Sequence, residues 1–289
     1  MSYRIVTDAT ADISEDLIRD VPEITIVPME ITLDGELMRI ERSDGPDVSA
    51  FYEKIRNGAD AKTSQINIEI YREVFSGILD EGLDVLYLCF TSGLSGTINA
   101  AHIAMDELAD DYPGRKIVCI DTLAAAIGEG FLVHEAARLQ GEGLSMSELI
   151  DWVEKNKLLV CHKFAVDSMT HLLKGGRMLS SVANIGNALQ IKPMLRVDEE
   201  GKLKLSGNAH GKTQAMKKLS RMPDGAWKPE ISRLFVVGHA DCPEDAERLK
   251  EMVLASYPDA DVRISQIGPV IGCHTGPGMA ALVYWGNNR

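Results

Sequence analysis

The densest chemistry in the chain lies in Thr91-Ser92-Gly93-Leu94-Ser95-Gly96-Thr97, set between an apolar run from Val85 to Phe90 and an Ala-rich stretch from Ile98 to Leu108. The first run reads as a buried strand and the second as a helix. In that order, strand, Gly-rich hydroxyl turn and helix can seat an anion. Glycines let backbone N–H groups approach, hydroxyls add donors, and the first-turn amides of the helix carry partial positive charge. A ligand held there presents a carboxylate or a phosphate. The same pattern fits an ordinary strand-to-helix connection whose Ser and Thr only cap the helix. A second candidate is Gly272-Cys273-His274-Thr275-Gly276-Pro277-Gly278, which reads as a loop too rich in glycine for helix or strand. His274 there can meet a ligand closely and donate to an oxyanion, or it is simply bonded to backbone in a tight loop. Asp8/Thr10, Thr63-Ser64-Gln65 and Asp121-Thr122 also fall where strands end. In open α/β sheets that edge binds ligands.

Other chemistries fit less well. Ser95, His274 and an aspartate can be written as a hydrolase triad, since triads tolerate any chain order. Gly93-Leu94-Ser95-Gly96, however, lacks the spacing of a G-x-S-x-G elbow, so binding is favoured over hydrolysis and no catalytic residue is assigned. There is no G-x-x-x-x-G-K-[ST] and no G-x-G-x-x-G after the first strand, so the chain is not expected to carry its own ATP chemistry. Cys89, Cys119, Cys161, Cys242 and Cys273 lie far apart with no CxxC pair, which suggests neither zinc nor disulfides. No metal or cofactor is expected. Cys89 and Cys119 read as small core residues, and His102, His134 and His171 as ordinary surface or core residues. A formal charge of −13 disfavours nucleic acid and anionic membranes as partners, and it requires a local site for any anionic ligand. No apolar run approaches ~18 residues and no basic, then apolar, leader opens the chain, so no transmembrane segment and a cytoplasmic location are expected.

The elements that must position these groups follow from periodicity. Tyr3 to Thr7, Ile24 to Met29 and Lys116 to Ile120 read as strands, and Ile13 to Arg19 and Leu123 to Gln140 as helices. Asp34-Gly35 between two short apolar runs predicts a hairpin appended to the main sheet. Asp47 to Asn57 reads as a helix, and Tyr71, Val74, Phe75, Ile78 and Leu79 share one face of another that ends at Gly82. Ser145-Met146-Ser147-Glu148 is a capping box that opens a helix running to about Lys157. Repeated strand-helix units predict a mostly parallel sheet flanked by helices. Past Leu158 glycine punctuates more often and the pattern becomes mixed. Leu158 to Val166, Pro193 to Val197, Lys202 to Ser206, Leu234 to Val237 and Val262 to Ile267 read as strands, and Ser180 to Leu189, Lys212 to Arg221 and Pro243 to Tyr257 as helices. The expectation is an α/β protein of two domains, residues 1–157 with the anion-seat loops and residues 158–289 as a mixed α/β domain contributing the His274 loop.

Taken together, Asp8-Ala9-Thr10-Ala11-Asp12, Thr63-Ser64-Gln65, Ser92-Gly93-Leu94-Ser95-Gly96-Thr97, Lys174-Gly175-Gly176-Arg177, Ile191-Lys192-Pro193 and His274-Thr275-Gly276-Pro277-Gly278 resemble the DegV family, in order and over essentially the whole chain. The resemblance implies a long-chain fatty acid in a buried tunnel between the two domains. It also implies a separate ATP-binding subunit of a fatty acid kinase, which phosphorylates the bound carboxylate to an acyl phosphate that feeds phospholipid synthesis. Carried over by position, Thr63 and Ser95 hold the carboxylate with Gly96 in the same turn, His274 lies beside them, and Arg177 near the entrance contacts the partner or the transferred phosphate. The chain departs from the commoner pattern at Asp8-Ala9, at Asp121-Thr122 and at Ala124-Ala125-Ala126-Ile127-Gly128, which puts the tunnel's length and shape in question. The residue chemistry agrees, since a fatty acid needs one anion seat and a long apolar lining. A hydrolase acting on an acyl ester, and a lipid sensor or store without a kinase, remain as alternatives.

Overall fold

Strands that are apolar at nearly every position need cover on both faces, and that requirement organises the molecule. In the computed structural model, which describes residues 2–45, 48–178 and 190–289, strands β1 (Tyr3–Asp8), β2 (Ile24–Val27), β6 (Asp84–Cys89) and β7 (Ile117–Asp121) form a parallel sheet of order β2-β1-β6-β7. Every residue of β6 is buried. Helices α3 (Ile68–Asp80) and α4 (Thr97–Asp111) pack on each other and on this sheet. Strands β3 (Met29–Leu33) and β4 (Glu36–Ile40) make the expected hairpin, with Asp34 and Gly35 both at positive φ as a two-residue turn requires. The hairpin does not extend the parallel sheet. It pairs instead with β5 (Ala61–Thr63) in a separate antiparallel sheet, β4-β3-β5. Helix α2 (Val48–Arg56) precedes β5, and Asp47, the expected start, lies outside the described residues.

A second sheet collects β8 (Val160–Ala165), β9 (Ile191–Val197), β10 (Leu203–His210), β11 (Leu234–His239), β12 (Asp261–Gln266) and β13 (Ala280–Trp285) in the order β10-β9-β8-β13-β11-β12. Only β11 and β12 pair in parallel, so the sheet is mixed. Helices α8 (Lys212–Arg221) and α9 (Pro243–Ser256) close one face over a core that includes Phe235, Leu249 and Tyr284. Between the two large sheets runs α5 (Ile127–Gly141), which touches β1 and β6 on one side and β8, β11 and β13 on the other. Every residue of α5 from Ile127 to Ala137 is buried, as expected of a helix with no solvent face. Helix α6 (Met146–Asn156) starts at the expected capping box, with Ser145 and Glu148 bonded reciprocally. Among the described residues no helix is long and apolar enough to cross a membrane.

Beside the hairpin, other parts of the sequence reading need correction. The helix expected from Leu123 begins at Ile127, because Leu123 and Ala126 have φ of 51° and 54°. Backbone groups there are spent on the neighbouring loop: the Thr91 amide donates to Ala124, and the Leu123 amide to the Asp121 carboxylate. The helix expected over Ile13 to Arg19 is only α1 (Glu15–Ile18), since Asp12 turns the chain at φ 48°. Gly272 to Thr275 is not loop but the end of α10 (Pro269–Thr275), which a proline at its first position opens and whose glycine permits close packing. A Cβ on Gly272 would lie 2.7 Å from the Tyr52 hydroxyl on α2. Strand β13, absent from the sequence reading, is central in the second sheet and buried throughout. The helix expected over Ser180 to Leu189 lies outside the described residues.

Candidate functional site

The 91 to 97 turn leaves β6 and enters α4, and the second sheet shapes it from outside. A Cβ on Gly93 would sit 2.7 Å from the carbonyl oxygens of Glu200 and Gly201, so glycine lets the β9–β10 turn close on it. Thr91 Oγ1 donates to Gly201 O at 3.1 Å and so locks that contact. Ser95 Oγ accepts from the Thr97 amide at 3.2 Å, which leaves its own O–H free to donate. Gly96 is the N-cap of α4 and packs against Gln65, whose amide nitrogen stands 2.7 Å from the position a Cβ would take.

Thr63, the last residue of β5, brings its Oγ1 to 2.9 Å from His274 Nε2 in the last turn of α10. The imidazole is pushed down to about 4, first by burial and then by the positive charge of Arg177, so it is neutral at pH 7. His274 Nδ1 is buried without a hydrogen-bond partner among the described residues and faces Gly175, the residue that caps α7 (Thr170–Lys174). Arg177 is held just beyond, its Nη1 donating to Gly175 O at 2.6 Å.

Thr63, Ser95, Arg177 and His274 all line one pocket of about 800 Å³, mouth included, between the first and second sheets. Gly96 does not line it. Beyond these four residues the wall turns apolar, with Met29, Phe90, Leu94, Ile127, Phe164 and Val283 among its residues. A few donors in a mostly apolar space suit a ligand with a single anionic head and a hydrocarbon tail. A hydrolase triad asks more of His274, namely a carboxylate on Nδ1, and Gly175 occupies that side.

Four other polar residues line the pocket, Thr10, His162, Lys163 and Thr275. Thr10 belongs to a buried cluster at the end of β1 and bonds to both Asp8 and Glu129. Glu129 is raised well above the ordinary carboxyl range, by burial first and by the Asp8 charge second. One threonine proton cannot serve two carboxylates at once, so Asp8 and Glu129 compete for it. His162 on β8 also lines the wall, and the sequence reading passed over it. Its signal was a polar residue in apolar phase, between Val160 and Phe164 on the face of the strand that turns to the core. Of the histidines read as ordinary, His134 packs between Asp20, Glu135 and Arg263, and His171 lies against Gly276. Cys89 is buried and Cys119 partly so.

The DegV family model matches residues 2–287. DegV domain-containing protein CPE0026 of Clostridium perfringens is 39% identical over 99% of this chain and 98% of its own. The chain belongs to the DegV family. Among solved DegV structures, a fatty-acid-binding protein from Thermus thermophilus is 28% identical with a TM-score of 0.82, covering 99% of this chain and 100% of that one. Protein TM841 of Thermotoga maritima, reported to bind fatty acid, is 26% identical with a TM-score of 0.83 and the same coverage. The fatty acid kinase B3 protein of Streptococcus pneumoniae, at 20% identity and a TM-score of 0.86 over 99% of this chain and 100% of that one, shares the fold. A parallel sheet flanked by helices, beside a mixed sheet, is therefore the DegV architecture in this chain as well.

Proposed function

We propose that this chain binds one long-chain fatty acid in the pocket between its sheets and presents the carboxylate to a separate ATP-binding kinase subunit in the cytoplasm. The observation that carries this reading is that Thr63, Ser95, His274 and Arg177 line one mostly apolar space, with Thr63 bonded to His274 and Arg177 held beside it through Gly175. The fatty-acid-binding relatives from Thermus and Thermotoga support the ligand class. The kinase partner rests on the family resemblance and on the fold shared with the streptococcal kinase protein.

The head group is held by relay. His274 Nε2–H donates to Thr63 Oγ1, and the Thr63 hydroxyl donates onward to the carboxylate beside Ser95 Oγ–H. In this tautomer Nδ1 carries a lone pair against Gly175 and no orphaned N–H, the costlier of the two to bury. Arg177 keeps the carboxylate ionised, and an ionised oxygen is the nucleophile that attacks the γ-phosphorus of ATP as ADP departs. Burial of the tail contributes about 0.8 kcal/mol per CH₂, enough for the acid to survive purification. No metal or cofactor of this chain's own enters the scheme. Mass spectrometry of a denatured sample should find roughly one acyl chain per protein, on the strength of that tail burial. ATP should be consumed, with acyl phosphate formed, only when the kinase subunit is added. No extractable acid, together with no binding of added oleate or palmitate, would overturn the reading.

A further inference from the structure

Outside the carboxylate seat the pocket is lined by four polar residues, Thr10, His162, Lys163 and Thr275, and of these only His162 carries a buried side-chain nitrogen or oxygen with no hydrogen-bond partner among the described residues. His162 is fully enclosed, its ring wedged so tightly on the start of α5 that a Cβ on Gly128 would stand 2.0 Å from it. Among the described residues its Nε2 has no hydrogen-bond partner, yet the residue lines the same cavity as Ile127 and Val283. On the paired strands it lies opposite Val283, whereas β13 starts at Ala280, just after the His274 helix and its Gly276-Pro277-Gly278 exit. Three residues of strand place it roughly 10 Å further along the sheet.

A buried ring nitrogen left unpaired is costly, and the cavity is where a partner for it can come from. We infer that His162 is a specificity-determining residue, and that the preferred acyl chain carries a hydroxyl part-way along, hydrogen-bonded to His162 Nε2. This rests on the fatty-acid reading above and names the substrate class within it. A hydroxyl fits whichever tautomer the ring adopts, since it donates to a bare Nε2 and accepts from a protonated one. A keto or epoxide oxygen fits only the second. The ring is neutral in either case, because burial and the nearby Arg289 and Lys163 charges hold it well below the ordinary histidine range.

The test compares octadecanoic acid with hydroxyoctadecanoic acids that differ in hydroxyl position, competed for the delipidated protein and for His162→Leu. Wild type should prefer one mid-chain hydroxy acid by about tenfold over the plain acid, and His162→Leu should abolish or reverse that preference while still binding octadecanoic acid. In nitrogen NMR of the wild type, the His162 ring resonance should move with the hydroxy acid and stay put with the plain one, a readout that survives if the variant does not fold. Equal affinities in the wild type, an unmoved ring resonance, or a preference that persists in His162→Leu would each overturn the inference. Failure of both classes of acid to bind would instead refute the fatty-acid reading itself.

Discussion

Ser95 and Thr63 each offer one hydroxyl to a head group whose tail supplies most of the affinity, so their loss should separate binding from chemistry. A hydrogen bond to a charged group contributes about 1.5 to 3 kcal/mol, or roughly tenfold or more. Ser95→Ala and Thr63→Val should therefore lower acyl phosphate formation with the kinase subunit by at least about tenfold, while extracted fatty acid stays near one per chain. An unchanged rate in Ser95→Ala would put the head group elsewhere. Arg177→Ala should likewise slow the reaction and spare occupancy, because this cation acts on the head group and the transferred phosphate or partner and not on the buried tail. His274 gives a pH signature. Its folded value near 4 lies below the ordinary 6.5, so its contribution to stability is complete above pH 6.5 and is lost as pH falls from there towards 4. Melting temperature should drop more steeply across that window in wild type than in His274→Gln. Parallel slopes would mean the ring is not held neutral.

Short helices and their caps aim these side chains, and glycine at their ends is what allows the approach. A Cβ on Gly175 would stand 2.3 Å from His274 Nδ1, at the point where α7 meets α10. Gly175→Ala should thus push the imidazole off Thr63 and cut acyl phosphate formation nearly as far as His274→Ala does, although residue 175 donates nothing to a ligand. Retention of full activity would show that the Thr63–His274 pair, at 2.9 Å, does not position the carboxylate. Gly93 has the corresponding task on the other side, where the β9–β10 turn of the second sheet rests on the seat of the first.

At the scale of the whole molecule, α5 is wedged between two sheets, and its buried Glu129 ties it to Thr7 and Thr10 at the end of β1. A carboxyl whose folded value is raised stabilises the fold below its ordinary value of 4.5 and loses that stabilisation as pH climbs through the raised value. Denaturant midpoints should consequently fall on the alkaline side in wild type and remain flatter in Glu129→Gln, which keeps a neutral hydrogen-bonding side chain. A glutamine variant with the wild-type slope would show that Glu129 is already ionised. Because the pocket lies between the sheets, a bound acyl chain should also raise the melting temperature of delipidated protein in a concentration-dependent way.

Local signals in the chain were enough for the elements whose causes are local. Apolar runs gave the parallel strands, the i, i+3, i+4 stripe gave α3, and the Asp34-Gly35 turn and the Ser145–Glu148 box marked a hairpin and a helix start. Gly93, Ser95 and His274 stood out because hydroxyl and imidazole groups bounded by glycine are uncommon in plain core, and Thr63 because a polar cluster falls there at a strand end. What folding alone decided was long-range. Thr63 and His274 are 211 positions apart and meet only when α10 docks on β5. Gly272 and Cys273 became helix because close packing on α2 outweighed weak helix propensity. Strand β13 was missed although it is buried throughout like β6, because its run opens on Met279-Ala280-Ala281-Leu282, residues that favour helix over strand. His162 was passed over for a different reason: one imidazole in an apolar stretch carries no sign of which wall it will face until two sheets close around it.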